Sequence, residues 1–377
     1  MTQRLLVACV LLLACNDLPD VAAVGTHVEI AADPGLTLCN GTLAHMDTFI
    51  SSVSAELSLP APVGADRFRF YWIEDEDFYR RSDCNEIAGA CAWGTESFAR
   101  DIPNNHELVH NISFAFDHPR PVFTEGLAVA LAGLGAEFGG SFPGFPASGE
   151  ELPALDLRDL LTEPTSVSLL DLGAYPLAGA FVAFLIRIHG LDAFGRAYAS
   201  LGRYASLAQI DRVFRDELGV SLDDSIDDFE ATARGCSHKG YDLKLIECAA
   251  PELTWSGDEL VYHRSLDCDQ DDVVGPYSGD SAVAFFTLEI PEAGGYELRV
   301  LGEPAAISEG VWSAVSLLPC TPCSGLEQTS TAGLAPQTAW FEPGRYSVRF
   351  RGPASAPTSI GVRLARVPDF PPPAPLE

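Results

Sequence analysis

Residues 106–128 read HELVHNISFAFDHPRPVFTEGLA, and this stretch decides how the first part of the chain is interpreted. Its spacing predicts a helix that carries His106, Glu107 and His110, because side chains four residues apart share one face of a helix. The two prolines that follow must end this helix and can open the next one. A helix, a turn and an antiparallel helix would bring Glu125 back towards the two histidines.

Two histidines and a glutamate form a ligand set that catalytic zinc sites use, in which three protein ligands leave the fourth position open. The sequence therefore predicts one Zn²⁺ per chain, bound by His106, His110 and Glu125. Glu107 lies between the histidines in the HExxH pattern, where a carboxylate acts as the general base of a hydrolase. A coincidental motif would leave Glu125 far from the histidines.

HExxH followed by a short loop and an EGxA segment resembles the gluzincins, the thermolysin-like and peptidase-MA-like zinc metallopeptidases. The matching residues are HELVH at 106–110 and EGLA at 125–128. The resemblance implies a peptidase in which zinc polarises the scissile carbonyl and Glu107 takes a proton from the attacking water. The alternative is a catalytically inactive surface protein that uses a peptidase-like scaffold for binding or structure. Val129 favours this alternative, since relatives often have an acidic residue there.

The same resemblance suggests two further functional elements. Tyr175 stands where relatives often have a tyrosine that stabilises the oxyanion, although a tyrosine packed under the loop would read the same way. Trp93, Gly94 and Thr95 resemble the edge strand that holds an extended peptide substrate by strand addition. An ordinary solvent-facing edge strand would give an identical sequence.

The N-terminus predicts export. Arg4 precedes an apolar run at residues 5–14, which is shorter than the about 20 residues that cross a bilayer as a helix, so residues 1–14 are predicted as a signal peptide. Cys15 ends a lipobox-like stretch and is the predicted lipidation site, followed by a tether at residues 15–24. The lipid bilayer is then a partner, at the outer or the cytoplasmic membrane with the protein facing the periplasm or cell surface. An ordinary signal peptide with an incidental Cys15 is the alternative.

Cysteine usage agrees with export. Two of the ten cysteines lie in or beside the signal peptide, and the remaining eight are an even number that favours four disulfides. The expected local pairs are Cys84 with Cys91 and Cys236 with Cys248. The CxxC at residues 320–323 is interpreted as structural, because neither a thioredoxin-like nor a zinc-ribbon context surrounds it.

Charge limits the classes of partner. With 23 basic and 53 acidic residues the net charge is −30, which argues against nucleic acid as a partner. The acidic run at residues 267–272 resembles the front of an EF-hand loop. Because Asp272 and Ser278 stand where the turn glycine and the bidentate glutamate belong, a solvated turn is favoured over a Ca²⁺ site.

The periodicity of the chain changes near residue 250. Upstream, helical spacing such as that of Gly41–Leu57 mixes with short strands. Downstream, short alternating runs are separated by Pro, Gly and Ser. We therefore predict an α+β chain: a mainly helical, thermolysin-like zincin domain with a small sheet at residues 25–249, then an all-β sandwich domain at residues 250–369. A Pro-rich tail at residues 370–377 completes it.

Overall fold

The structure is a computed structural model of the 377-residue chain. It describes residues 18–74, 78–85, 89–116, 118–133, 152, 154–233, 242–277, 280–302, 313–322 and 328–372. The predicted signal peptide and Cys15 lie outside these ranges, as do Cys236, Ser278 and Cys323.

The helices lie in the first part of the described chain. They are α1 (Thr42–Glu56), α2 (Phe78–Ser82), α3 (Asn105–Ser113), α4 (Pro121–Ala132), α5 (Leu157–Leu160), α6 (Ser166–Asp171), α7 (Tyr175–His189), α8 (Leu191–Ser200), α9 (Leu207–Val213) and α10 (Leu222–Thr232). A π-helical turn at Phe214–Leu218 continues α9. The first twelve residues of α7 are all buried, which explains why its sequence is apolar nearly all round.

Strands occur in both parts of the chain. The first part contains β1 (Val21–Val24), β2 (Val28–Ala32), β3 (Phe68–Trp72), β4 (Ala90–Trp93) and β5 (Glu96–Ala99). The second contains β6 (Glu259–Leu266), β7 (Val274–Tyr277), β8 (Ser281–Ile290), β9 (Gly294–Gly302), β10 (Ala314–Pro319), β11 (Gln328–Thr331), β12 (Gln337–Phe341), β13 (Gly344–Pro353) and β14 (Thr358–Val367).

The first sheet positions the helix of the HELVH motif. Its strand order is β1-β2-β3-β5-β4, in which β2, β3 and β5 are parallel and the outer strands β1 and β4 are antiparallel to their neighbours. Alternate residues such as Phe70 belong to the core shared with the helices, while Tyr71 faces a smaller cluster on the other side. The chain leaves β5 at Ala99 and enters α3 at Asn105, so α3 begins beside the edge of the sheet.

The second part consists of two antiparallel sheets that share one apolar core, and we call it the sandwich. One sheet has the order β11-β10-β13-β8-β7 and the other the order β12-β9-β14-β6. Inward-facing side chains from both sheets, such as Leu288 and Val348 from the first and Leu298 and Val362 from the second, form this core.

Several contacts join the helical part to the sandwich, and we call this region the junction. A disulfide links Cys39, just before α1, to Cys268. The Thr42 hydroxyl donates a hydrogen bond of 2.6 Å to the Gly275 carbonyl. A short 3₁₀ turn at Glu247–Ala249 places the Glu247 carboxylate against the Arg349 guanidinium of β13, with two N–O distances of 2.7 Å.

The predicted fold class, a mainly helical thermolysin-like zincin domain followed by an all-β sandwich, is wrong. Helices account for 35% of the chain and strands for 30%, arranged in three sheets, so helix does not dominate. Residues 21–24, assigned to the tether, form β1 of the first sheet. Strands β4 and β5 have four residues each, which is too short for a strand-like alternation to stand out in the sequence.

The disulfides of the structure agree with one of the two predicted cysteine pairs and contradict the other. Cys84 is bonded to Cys91, as predicted. The pairing of Cys236 with Cys248 is wrong, because Cys248 is bonded to Cys320 where the junction meets β10. Disulfides of this kind are typical of exported or extracellular proteins, and the protein is assigned to that class. Within the described residues, no helix is both long and apolar enough to cross a membrane.

Candidate metal centre

Helix α3 presents the two histidines of the HELVH motif on one face. Its N-cap residue Asn104 accepts a hydrogen bond from the Glu107 amide at 3.3 Å, which fixes the first turn. His106 and Glu107 are buried, and the His110 side chain is 16% exposed. The centre is therefore closed at the start of the helix and reaches solvent near His110.

Helix α4 brings the third side chain back to α3. Pro121 occupies the first helical turn, where its missing N–H has no cost. Arg120 fixes the preceding turn by donating to the carbonyls of Ala205 at 2.6 Å and Thr162 at 3.1 Å. Glu125 then lies on the buried face of α4. The prolines thus act as the sequence suggests, ending one helix and opening the next.

The three predicted ligand atoms form a nearly equilateral triangle. The Nε2 atoms of His106 and His110 are 3.1 Å apart, and each lies 3.2 Å from Oε2 of Glu125. Ligands about 2.0–2.1 Å from a zinc ion at tetrahedral angles would lie about 3.3–3.4 Å from one another. The residues present therefore fit a zinc ion in size and in donor type. Among the described histidines, cysteines and carboxylates, these three residues form the group whose ligand atoms all lie within 4.8 Å of one another.

The attraction between His110 and Glu125 dominates the electrostatics of the cluster. Burial alone would lower the pKa of His110 and raise that of Glu125, but the attraction between the two groups outweighs burial. The pKa of His110 is raised to about 9, and the pKa of Glu125 is lowered. The Glu125 carboxylate is therefore ionised and available as a negative ligand.

Glu107 is held beside the triangle as a weakly acidic carboxyl group. Burial raises its pKa, and the nearby Glu125 adds to this effect, while His106 and His110 act in the opposite direction. A carboxylate with a raised pKa binds a proton more readily than one in water. This is the property that a general base in a hydrolytic site requires.

Tyr175 reaches the centre from the start of α7. Its ring stacks on the His106 ring with centroids 5.9 Å apart, and its hydroxyl donates to the Ser166 carbonyl at 3.3 Å. The hydroxyl also interacts with Glu125, and burial raises the pKa of Tyr175 well above its ordinary value. The structure therefore places this predicted residue against two of the ligands.

The predicted substrate-binding residues lie on a hairpin beside α3. Trp93 ends the edge strand β4, and Gly94 and Thr95 form the turn into β5. Trp93 is 58% exposed. The side-chain amide of Asn111 donates to the carbonyl of Gly94 at 2.9 Å and to that of Glu96 at 3.2 Å. The hairpin is thus attached to the residue that directly follows His110.

Sequence reasoning missed the residues that fix these elements together. Asn111 accepts a hydrogen bond from the buried Ser97 hydroxyl as well as donating to the hairpin. The buried Asn105 amide donates to the Ala132 carbonyl at 2.9 Å and contacts Nε2 of His45 at 3.3 Å. Asn105 and Asn111 flank HELVH in the chain, and an amide side chain directly on each side of a motif predicted to be buried is the signal that could have identified them, because buried amides need hydrogen-bond partners.

The acidic run at residues 267–272 is organised by hydrogen bonds within the protein. Both carboxylate oxygens of Asp272 accept from the Arg264 guanidinium, at 2.6 and 2.9 Å. The Asp269 amide donates to the Asp267 carboxylate at 3.1 Å. These contacts agree with the interpretation of this run as a turn, which the neighbouring Cys268 disulfide fixes to the chain before α1.

Comparison with known proteins identifies no family for the chain. No family model matches it, and no curated protein matches it either. Among solved structures, it resembles the pre-peptidase C-terminal domain of a collagenase from Bacillus anthracis, with 16% identity over 31% of this chain and 92% of that chain and a TM-score of 0.20. It also resembles the C-terminal CBM6 of a marine laminarinase from Zobellia galactanivorans, with 12% identity, 28% and 100% coverage and a TM-score of 0.15.

A third similar structure is a carbohydrate-binding module of a lichenase from Cellvibrio mixtus, with 11% identity, 30% and 92% coverage and a TM-score of 0.15. Similarities this weak carry no argument about function. The predicted membership of the gluzincin family is wrong. The chain has about 30% strand, arranged in three sheets, where membership of that family predicted a mainly helical core.

Proposed function

We propose that the protein is an exported zinc-dependent peptidase. The observation that carries this proposal is the triangle of ligand atoms on His106, His110 and Glu125, whose sides measure 3.1–3.2 Å. Three such ligands leave a position open for a water or a substrate, as hydrolytic zinc sites require. A bound zinc ion would supply a Lewis acid and make a water acidic enough to ionise near neutral pH.

The side chains around the triangle have separate roles in this proposal. Glu107 accepts the proton of the attacking water and passes it to the leaving nitrogen, a role that its raised pKa favours. The Tyr175 hydroxyl donates a hydrogen bond to the developing oxyanion and keeps its proton. His106 and Glu125 are buried, so both remain oriented towards the same point.

The position of the hairpin supports a peptide as the substrate. Strand β4 forms the edge of the first sheet, and an extended peptide can add to such an edge as a further strand. The contacts of Asn111 with Gly94 and Glu96 tie this edge to the helix that carries Glu107. A bound strand would therefore run beside the general base.

The Glu107→Gln variant tests this proposal. We expect the wild-type protein to contain about one zinc per chain and to cleave members of a peptide library. Glu107→Gln should keep the zinc but lose at least about 100-fold in kcat, because the amide cannot accept the proton. Zinc is measured by metal analysis, and cleavage by mass spectrometry. Glu56→Gln, which changes an exposed carboxylate on α1, is the matched control. Full activity in Glu107→Gln would contradict the mechanism.

A second candidate is a surface protein that binds a metal but does not turn over substrate. The observation in its favour is that the Tyr175 hydroxyl is already engaged by the Ser166 carbonyl and by Glu125. This candidate predicts zinc without cleavage of any library member. The same library experiment therefore separates the two candidates.

We also propose that a lipid on Cys15 attaches the exported protein to a membrane. It is supported by the apolar run at residues 5–14, which Cys15 follows directly. We expect the wild-type protein to sediment with membranes and to dissolve in detergent, and a Cys15→Ser variant to be recovered in the soluble exported fraction. Equal membrane recovery of both proteins would contradict lipid attachment.

A further inference from the structure

We infer that Phe114 and the hairpin turn at Trp93 and Gly94 form an apolar subsite for a large aliphatic or aromatic side chain of the substrate. The inference rests on the proposed peptidase function and names the class of peptide that the site prefers. It also fixes where in the peptide that side chain lies, namely two or three residues from the scissile bond on one side. Phe114 is then a specificity-determining residue.

Phe114 continues the functional face of α3 towards solvent. It follows His110 by four residues and Glu107 by seven, and both spacings place it on the same side of the helix. Exposure increases along this face: His106 is 4% exposed and Phe114 is 49% exposed. Phe114 therefore lies at the solvent-facing end of the face that carries the ligands and the general base.

The hairpin lies along the same face. Its turn lies next to Phe114, since a Cβ atom added to Gly94 would lie 3.8 Å from the aromatic ring. One turn earlier on the helix, Asn111 holds the carbonyl of Gly94. A peptide that adds to β4 beside Glu107 would therefore continue past Phe114.

Exposed aromatic side chains concentrate at this place. In the described part of the chain, the exposed large aromatic residues are Trp93, Phe114 and Tyr204. Two of the three belong to the hairpin turn and to the end of α3, and the Phe114 ring also packs edge-on against His118, with centroids 5.0 Å apart. Trp93 directly precedes Gly94, the turn residue that lies next to the Phe114 ring. A patch of exposed apolar side chains is typical of a binding surface, whereas isolated ones need no explanation.

The distances determine which substrate residue reaches Phe114. An α-helix rises about 1.5 Å per residue, so Phe114 lies about 6 Å beyond His110 and about 10 Å beyond Glu107 along the axis. An extended peptide advances about 3.4 Å per residue. The side chain that reaches Phe114 therefore belongs to a residue about two or three positions from the bond being cleaved.

A set of peptides tests the inference directly. A single Phe is moved one position at a time through an otherwise Ala-based sequence, and the cleaved bond and kcat/KM are measured with the zinc-loaded full-length protein. We expect cleavage two or three residues from the Phe to be at least about 10-fold faster than cleavage of the all-Ala peptide. The ratio of kcat/KM for the Phe-containing peptide to that for the all-Ala peptide should fall to less than about 3 in Phe114→Ala. Phe114→Leu should keep most of the wild-type ratio.

Tyr204→Ala is the matched control, because Tyr204 is 79% exposed and is not part of the subsite. It should keep the wild-type ratio. A ratio that Phe114→Ala leaves unchanged, a preference for Phe directly at the scissile bond, or no preference in the wild-type protein would each overturn the inference while leaving the peptidase function intact. If the zinc-loaded wild-type protein cleaves no peptide at all, the proposed function fails and the subsite fails with it.

Discussion

Tyr175 is the residue whose position permits two different roles. Its hydroxyl interacts with Glu125, which would orient a proposed ligand, and its ring stacks on His106, which places the side chain beside the candidate centre. A residue that only orients a ligand affects metal affinity, typically by about 10–100-fold. A residue that donates to the transition state affects kcat at full metal occupancy.

For Tyr175→Phe we expect a fall of about 100-fold in kcat with little change in KM, because one donor to the oxyanion is lost. The measurement is steady-state kinetics at saturating zinc, together with a zinc titration by competition with a chelator. If excess zinc restores the wild-type kcat, the hydroxyl orients Glu125 and does not stabilise the oxyanion.

Helices α4 and α7 approach each other unusually closely at Gly126. A Cβ atom at this position would lie 2.6 Å from the Ala178 carbonyl oxygen and 2.6 Å from a methyl carbon of Val182. Gly126 directly follows Glu125, so the position of this proposed ligand depends on the contact between the helices. The glycine in the EGLA segment is therefore explained by packing.

Gly126→Ala should destabilise the fold by about 1–3 kcal/mol and weaken zinc binding, because the added methyl group pushes α4 away from α7. Gly195→Ala is the matched control on α8, where nothing lies within 4 Å of the new Cβ. That control should be neutral or more stable by about 0.5–1 kcal/mol, since alanine favours helix. Urea denaturation and a zinc titration measure both effects, and equal stability of Gly126→Ala and wild type would contradict this account of packing.

The sequence was sufficient to predict the elements with strong local signals. Helix spacing and the prolines located α3 and α4 well enough to bring Glu125 to the histidines. It was not sufficient for β1, which was assigned to the tether, and it indicated the edge strand at Trp93 only through a resemblance. Strands β1, β4 and β5 have four residues each, so pairing across the sheet decides their structure. Long-range pairing also explains why Cys248 was assigned to the wrong partner.

At the scale of the whole molecule, the junction holds a set of charged and polar groups away from water. Arg349 of the sandwich pairs with Glu247, and Ser347 donates to the same carboxylate at 3.0 Å. His45 of α1 stacks on Phe285 of β8 with centroids 5.7 Å apart. His45 also contacts Asn105, so the junction is connected to the residue before the first ligand.

Acid should lower the free energy of unfolding, because His45 is buried in its neutral form. Burial lowers its pKa from 6.5 to about 4, although Glu247 and Asn105 act in the opposite direction. Between these pH values the unfolded chain binds a proton that the folded protein excludes, so the free energy of unfolding falls as the pH drops from 6.5 towards 4. The total loss is about 3 kcal/mol.

Urea denaturation of the wild type and of His45→Gln at several pH values measures this effect. The free energy of unfolding of His45→Gln should fall less than that of the wild type as the pH drops from 6.5 towards 4. His263→Gln, on β6 and outside the junction, should behave like the wild type. Parallel pH profiles for the wild type and His45→Gln would contradict the assignment.

The disulfide between Cys39 and Cys268 closes a covalent ring of chain around the metal centre. The ring contains α3, α4 and α7, and therefore every residue proposed for catalysis. A single cut by a protease anywhere inside the ring opens it without releasing a fragment. A nicked molecule would run as one species on a non-reducing gel and as two after reduction. The protein can thus tolerate one cleavage and still keep all the residues proposed for catalysis in one covalent molecule.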